Sequence, residues 1–460
     1  MQPTIHTIAP PTITGDAHAT FVEAMTTRMA EVARQLSTWV GDAPRTLAAM
    51  EEHTLAITKE LGQALLAATC QLAASPAPAP HAPCRCGQVV PYLRARSADV
   101  LTVLGLILVE RPIYWCRPCQ RTFAPFDAQT GLCPGSISAG LDELLALLGA
   151  REDSFDDAAD VLQRLTLVRV CSNLARTATE RLGRVLAAAE DQAVTAAWAG
   201  QLPPLAATTV ARLSVSVDGL LVHTHAGWKE LKLGAVYTTV TAPSRKRPDK
   251  LLIRAHDISY VGDITTPETL GRLLWTEAAR RGVLGAGEVI AIGDGAHWIW
   301  NLMEEHFPQA TQIVDWYHAS QYIWAAANAV YGEGTDLGTA WAEARLDDLW
   351  DGEVGQVLTA VQATGETREA VTNALTYLTN NQHRMRYAAY RARGIQIGSG
   401  VIESGCKHVI GARLKQAGMI WNVDGARAVG KVRTWLKGRR WAEAMALRPP
   451  LRRASQREAA

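Results

Sequence analysis

Apolar positions along the chain change their spacing several times, and each change predicts a different kind of element. From about Phe21 to Leu72 they recur at helical intervals in an alanine-rich background, which predicts amphipathic helices over the α-helical N-terminal region 1–73. A Pro/Ala stretch at 74–83 reads as an extended linker. In the next segment, 84–136, the run "VLTVLGLILVERPIYW" is rich in β-branched and aromatic residues. It predicts the strands of a hairpin, with a cysteine pair at each end. Over 137–200 the helical period returns: "FDDAADVLQRL", a break at "TLVRV", then "CSNLARTATERLGRVLAAAE". Asp156 or Ser154 is expected to cap the first of these helices and Ser172 the second. The spacing fits a helix-turn-helix and also an ordinary helical hairpin.

After a boundary at "QLPPLAATT", alternation at period two takes over in "RLSVSVDGLLVHT", "WKELKLGAVYTTVTA" and "KLLIRAHDISYVG". A helical stretch follows, then the strand–turn–helix pattern of "EVIAIGDGAHWIWNL", then "TQIVDWYHASQYIWAAANAVY" as strand and helix. Antiparallel strands followed by strand–helix units predict an α/β fold with a mixed sheet over 209–331. A helical insertion is expected over 332–381, with Trp341 and Trp350 as core anchors, and the rest of the core over 382–440. A basic tail closes the sequence at 441–460.

Composition changes this picture little. Hydrophobic content of 48% and charged content of 20% are ordinary for a water-soluble globular chain. No apolar run approaches the roughly 18–20 residues that cross a bilayer, and no secretory leader is apparent, so a cytoplasmic, nucleoid-associated protein is expected. Charge does change it. Residues 384–460 hold 17 Lys+Arg against 4 Asp+Glu, while the chain as a whole is nearly neutral. A basic block on an acidic body suggests a polyanionic partner, with a solvated basic helix as the plainer explanation.

Two carboxylates share one grammar. Asp218 ends "LSVSVDG" and Asp294 ends "VIAIGDG"; each closes an apolar strand and precedes glycine. Either alone reads as a turn residue; the pair points to strand ends that gather chemical groups. A third acid, Glu403, stands in "IGSGVIESGCKHVIGARLK", near the start of a helix expected from about Ser399 to Lys415. An ion pair with Lys407 at i+4 is its plainer role. Two aspartates on strands and a glutamate on a helix suit hard divalent cations such as Mg²⁺. Of the aromatics after Asp294, Trp298 and Trp300 lie two apart and so not on one helix face, and packing is expected for at least one. Eight cysteines include two close pairs, Cys84/Cys86 and Cys116/Cys119, which in a cytosolic chain read as metal ligands before disulfides. The first pair has a short spacing, and His81 could replace one of its thiolates.

With these motifs together, "VSVDGLLVHT", "IGDGAHWIWNL" and "GSGVIESGCKHVIGARLKQAGMIW", the chain resembles a DDE-type insertion-sequence transposase. The likeness is to the ISKra group and, more distantly, to Mutator-like transposases. The resemblance covers most of the chain and implies an RNase H-like catalytic domain with a helical insertion. It implies that Asp218, Asp294 and Glu403 hold Mg²⁺ or Mn²⁺, and that His318 of "DWYH" is an accessory group orienting the phosphate or water. It also implies a zinc ribbon on Cys84, Cys86, Cys116 and Cys119. The partners implied are DNA, both terminal inverted repeats and target, and a second copy of the chain or a higher oligomer. Lys407, Arg413, Lys415, Arg427, Lys431 and Arg433 are the candidate phosphate contacts. Two rivals remain open at this level: a transposase-derived DNA-binding regulator that no longer cuts, and a magnesium nuclease acting on hybrids or junctions.

Overall fold

The computed structural model describes residues 15–41, 45–74, 78–201, 210–243 and 251–449. Two compact units divide them, one of residues up to Ala178 together with the stretch from Arg448, the other Thr179–Leu447.

The first unit opens on two 27-residue helices, Gly15–Gly41 and Leu47–Ala73, the second capped by the Thr46 hydroxyl. Five strands follow: β1 (His81–Pro83), β2 (Val89–Thr102), β3 (Gly105–Cys116), β4 (Arg121–Phe123) and β5 (Ser136–Ile137). β1 lies within the expected linker, and pairs antiparallel with β2; residues 75–77 of that linker fall outside the described residues. β2 and β3 form the hairpin, with burial alternating along β3 so that Ile107 and Val109 face inward and Leu106 and Leu108 face out. Three helices complete a small core: Ala139–Arg151, Phe155–Thr166 and the start of Ser172–Trp198. Ser154, not Asp156, caps the second, its hydroxyl accepting the Asp157 N–H at 2.9 Å. Ser172 is the first helical residue of the third, which runs 27 residues and is longer than its sequence pattern suggested.

The second unit is built on a five-stranded mixed sheet. Its strands are β6 (Arg212–Thr224), β7 (Gly227–Pro243), β8 (Leu251–Asp263), β9 (Glu288–Gly293) and β10 (Thr311–Val314), in the spatial order β10-β9-β6-β7-β8. β6, β7 and β8 form an antiparallel meander. β9 joins β6 in parallel, and β10 joins β9 in parallel. Parallel neighbours need crossovers, and the helices Pro267–Arg280 and His297–His306 supply them. Leu213, Val215, Val217, Ile290, Ile292 and Ile313 pack into one core with these helices. That core continues into the helical excursion Asp336–Trp350, Val354–Ala363 and Glu369–Asn381 through Ala342, Leu349, Val361 and Leu378. Trp341 packs against it, but Trp350 does not anchor it: the ring is 39% exposed, with the Arg391 guanidinium 3.8 Å above it.

β10 is an edge strand, and an open edge invites pairing with another chain. Here hydroxyls occupy it. Tyr387 donates to the Val314 carbonyl at 3.0 Å and Tyr390 to the Gln312 carbonyl at 3.4 Å. The opposite face of the sheet is covered by a helical run from Gly400 to Leu414 and by the helix Val423–Lys437. The expected basic tail begins with a helix, Trp441–Ala446, and residues 450–460 fall outside the described residues. Among the described residues, no helix is long and apolar enough to cross a membrane.

Candidate active site and cysteine cluster

The register of the parallel strands places the acids. Ser216 of β6 faces Ile292 of β9, so continuing two residues brings Asp218 beside Asp294. Val314 of β10 faces Gly293, so the next residue, Asp315, also falls beside Asp294. Three aspartates thus stand in a row across three neighbouring parallel strands, where strand spacing is about 4.8 Å. Asp294 and Asp315 lie just past the carboxyl ends of β9 and β10, and Asp218, against expectation, lies within β6. Such strand ends are the usual place for chemistry in α/β sheets.

The turn expected after Asp218 does not form: Gly219 stays in β6, paired with Lys232 of β7, because the strand continues as the long arm of a hairpin. The Gly219 N–H donates to Asp218 Oδ1 at 2.7 Å, and at the turn after β9 the Ala296 N–H donates to Asp294 Oδ1 at 2.9 Å. That turn is gripped from outside: Tyr377, on the helical excursion, donates its hydroxyl to the Asp294 carbonyl at 2.6 Å. Its ring explains the glycine that follows. Gly295 has φ +104°, and a Cβ there would lie 2.5 Å from the Tyr377 ring. Gly295→Ala is therefore expected to cost about 1–3 kcal/mol from the backbone alone, and to break the tyrosine contact as well. Tyr377→Phe, losing one hydrogen bond, should cost about 1 kcal/mol. Urea unfolding of the two variants tests the order.

Glu403 reaches the row from the opposite element. Its helix is α-helical over Gly400–Gly405, turns into a π-helix over Cys406–Gly411, and resumes at Ala412. π-turns mark functional sites more often than chance. The Lys407 ion pair does not form among the described residues. Glu403 Oε1 instead accepts the Ser399 hydroxyl at 2.5 Å and lies 3.7 Å from His318 Nδ1. Asp315, fully buried, ties these parts together. One oxygen accepts the His318 N–H at 2.7 Å and the other the Ser399 N–H. Asp315 therefore holds the residue that holds Glu403.

Among the described residues of this site, Asp315, His318 and Glu403 offer metal-competent atoms that all lie within 4.8 Å of one another. Asp218 and Asp294 fall outside that group, although they lie close enough to act on it electrostatically. Burial pushes the Asp218 carboxyl up, and the charges of Asp294 and Glu403 push it further, against hydrogen bonds from Gly219 and the Cys406 thiol. The Asp315 carboxylate raises the His318 pKa, and Asp294 and Glu403 add to this. The result is a half-buried cluster of hard oxygen donors with more negative charge than His318 offsets. Mutual repulsion accounts for Glu403 leaning to the imidazole rather than to the aspartates. This donor set fits a divalent cation of the Mg²⁺ or Mn²⁺ kind.

The predicted phosphate contacts separate sharply. Lys407 and Lys415 are exposed. Arg413, Lys431 and Arg433 are buried, which removes them as phosphate contacts. Arg433 donates to the carbonyls of His408 and Val409, and Arg413 lies 5.1 Å from the Trp421 ring centre. Lys431 pairs with Glu190 and lies 3.4 Å from Asp263, which also takes two hydrogen bonds from Arg427. Burial alone would lower the Lys431 pKa, but Glu190 and Asp263 more than offset it and hold the pKa above its usual value. Removing one member of a buried charge cluster strands the others, so Lys431→Ala should lose about 3–5 kcal/mol of stability. It should leave the salt dependence of DNA binding unchanged where it still folds, as urea unfolding and binding titrations would show. Trp300 is likewise a packing residue, buried with the Arg384 guanidinium 4.3 Å from its ring centre, while Trp298 is half-buried with Lys232 5.5 Å away.

In the first unit the two cysteine pairs meet at the open end of the β2–β3 hairpin. Cys84 Sγ lies 3.8 Å from Cys119 Sγ, and Cys86 Sγ lies 3.6 Å from Cys116 Sγ. A disulfide would need about 2.05 Å. Tetrahedral zinc with bonds of about 2.3 Å places its sulfurs about 3.8 Å apart. The four sulfurs therefore form a group that could hold a metal such as zinc, and His81 is not part of it. The short first pair is made possible by a tight turn: the Gly87 N–H bonds the Cys84 carbonyl at 2.9 Å, with Gly87 at φ +85°. The Cys86 backbone N–H holds the Cys84 thiol down to about 6, while the neighbouring thiols push Cys119 up to about 12.

No protein-family model and no curated protein matches the chain.

Proposed function

We propose that the protein is a DDE-type transposase with an RNase H-like catalytic domain, cutting and joining DNA at Asp218, Asp294 and Glu403. The observation that carries this reading is the in-register pair of aspartates on neighbouring strands, Asp218 within β6 and Asp294 at the end of β9, with a helix-borne glutamate close enough to perturb Asp218. An antiparallel meander followed by strand–helix units, with acids on adjacent strands, supports the RNase H-like arrangement.

Asp218, Asp294 and Glu403 would hold Mg²⁺ or Mn²⁺. When bound, the ions supply positive charge to the scissile phosphate and make water or a 3′-hydroxyl easier to deprotonate. The chain's own groups do the rest. Asp218 is held by strand β6 and the Gly219 N–H, and Asp294 by its turn and by Tyr377. Glu403 is set by Ser399 and Asp315. His318, kept basic by Asp315, is placed to orient a phosphate oxygen or hand over a proton. The reaction is an in-line displacement at phosphorus, first by water to free a 3′-OH, then by that hydroxyl on target DNA. The cysteine cluster fits a structural zinc site serving recognition of the element ends or pairing of two copies. The test is cleavage and joining of oligonucleotides bearing the inverted repeats that flank the reading frame, in Mg²⁺ or Mn²⁺, with Asp294→Ala alongside. A wild-type chain that binds such ends without cutting them would be the regulator instead.

A further inference from the structure

With Arg413, Lys431 and Arg433 buried and Arg427 paired with Asp263, the candidates left to meet DNA on the second unit are Lys407 and Lys415. β6 does not stop at Asp218. It runs six residues further and returns as β7, a hairpin that closes between Thr224 and Gly227. Val215 and Val217 face the core, and by alternation Leu221 and His223 share their face. There the face is open. Leu221 is 51% exposed and Trp228, directly across from His223, is 59% exposed. The two rings stack at 4.7 Å with planes 21° apart, holding the indole fixed with one side to solvent.

A second segment extends this surface. Trp421 exchanges backbone hydrogen bonds with His223 and His225, and its indole N–H donates to the Leu414 carbonyl. This fixes the loop that carries exposed Lys415 and Ile420 against the tip. Charge on the two segments is one-sided. Over 219–232 and 406–421 the cations open to solvent are Lys407 and Lys415, with Lys229 half-buried, Arg413 and Lys232 being buried; the single acid, Glu230, is paired with Lys232. An exposed, pre-set aromatic face with cations around it is what stacks on an unpaired base while lysines meet the phosphates. A duplex keeps its base faces covered, so the fit is to a single strand.

We infer that the β6–β7 hairpin tip, with Trp228 stacked on His223 and Lys415 beside it, binds single-stranded DNA running from the aspartate row. The choice of DNA rests on the transposase reading; the choice of surface does not. The test is fluorescence anisotropy of a labelled single-stranded oligonucleotide with the full chain, with no Mg²⁺ or Mn²⁺ added and no chelator, so that no cleavage enters and the cysteine cluster is left intact. Trp228→Ala is expected to weaken binding at least about ten-fold, and Trp228→Phe, which keeps an aromatic face, much less. Lys415→Ala should flatten the salt dependence by somewhat less than one unit of slope. Unchanged binding by Trp228→Ala overturns the inference. So does a Trp228→Ala chain that binds DNA normally but loses self-association in sedimentation, which would make the tip a contact between copies. Wild type that shows these losses yet never cuts DNA in Mg²⁺ overturns the transposase reading and leaves this one standing.

Discussion

Asp294→Ala is expected to lose strand cleavage by about 10³-fold or more while keeping its fold and its DNA affinity. The magnitude follows from what the position does. Cation charge at a reacting phosphate is worth several kcal/mol, and each 1.36 kcal/mol is a factor of ten in rate. Asp294 is the middle member of the row, flanked by Asp218 and Asp315 through backbone register alone. On the proposed function its loss would remove one side of the cation's cradle. Stability should fall by only about 1 kcal/mol, for the lost Ala296 N–H bond to the side chain, because the turn keeps its two glycines and the Tyr377 bond goes to the Asp294 carbonyl. Rates with oligonucleotide ends, beside a thermal melt and a binding titration, separate the two effects. Cleavage at the parental rate would sink the assignment of Asp294.

Removing zinc should act on the other unit and on stability. One zinc per chain is expected, released by a chelator or by acid. Binding free energy at such a site is folding free energy, of order 10 kcal/mol in small zinc modules. Cys116 is fully buried and receives Cys86 at 3.6 Å. Cys116→Ser should therefore weaken zinc by more than the 10- to 100-fold typical of an outer-shell loss. The hairpin end, held by short strands β1 and β4, should then open to proteolysis while the Thr179–Leu447 unit stays resistant. A chain purified with no zinc, and melting identically with and without chelator, would count against a structural metal.

Much of the site was legible because it depends on local grammar. An apolar run ending in Asp-Gly announces a strand and a turn; Asp294 follows it, while at Asp218 the strand runs on to Thr224 and only the strand is foretold. Their adjacency was not legible, since it depends on β9 pairing in parallel with β6 across a gap of more than sixty residues. Asp315 was visible only as a letter in "DWYH"; its hold on Ser399 needs the return of the chain at 397–399. Basic residues misled for a plain reason. A count of charge says nothing about burial, and Lys431 and Arg433 lie on a helix whose inward face happens to carry cations matched by Glu190 and by the carbonyls of a neighbouring turn. The π-turn after Glu403 leaves no readable mark in apolar spacing, because the α-helical segments on either side, six and three residues long, are too short to fix a phase on each.

The excursion between the second and third acids starts and ends at one place. The Trp316 N–H bonds the Ile397 carbonyl at 3.0 Å, and the Asp315 carboxylate takes the Ser399 N–H. The long loop thus closes on itself, and its length hardly affects where Glu403 sits. It does affect when. Glu403 lies 109 residues after Asp294, which at ordinary synthesis rates is roughly 5–20 s. On the proposed function, for that interval on the ribosome the chain would carry its two aspartates without the third acid, and would not act on the nucleic acid around it.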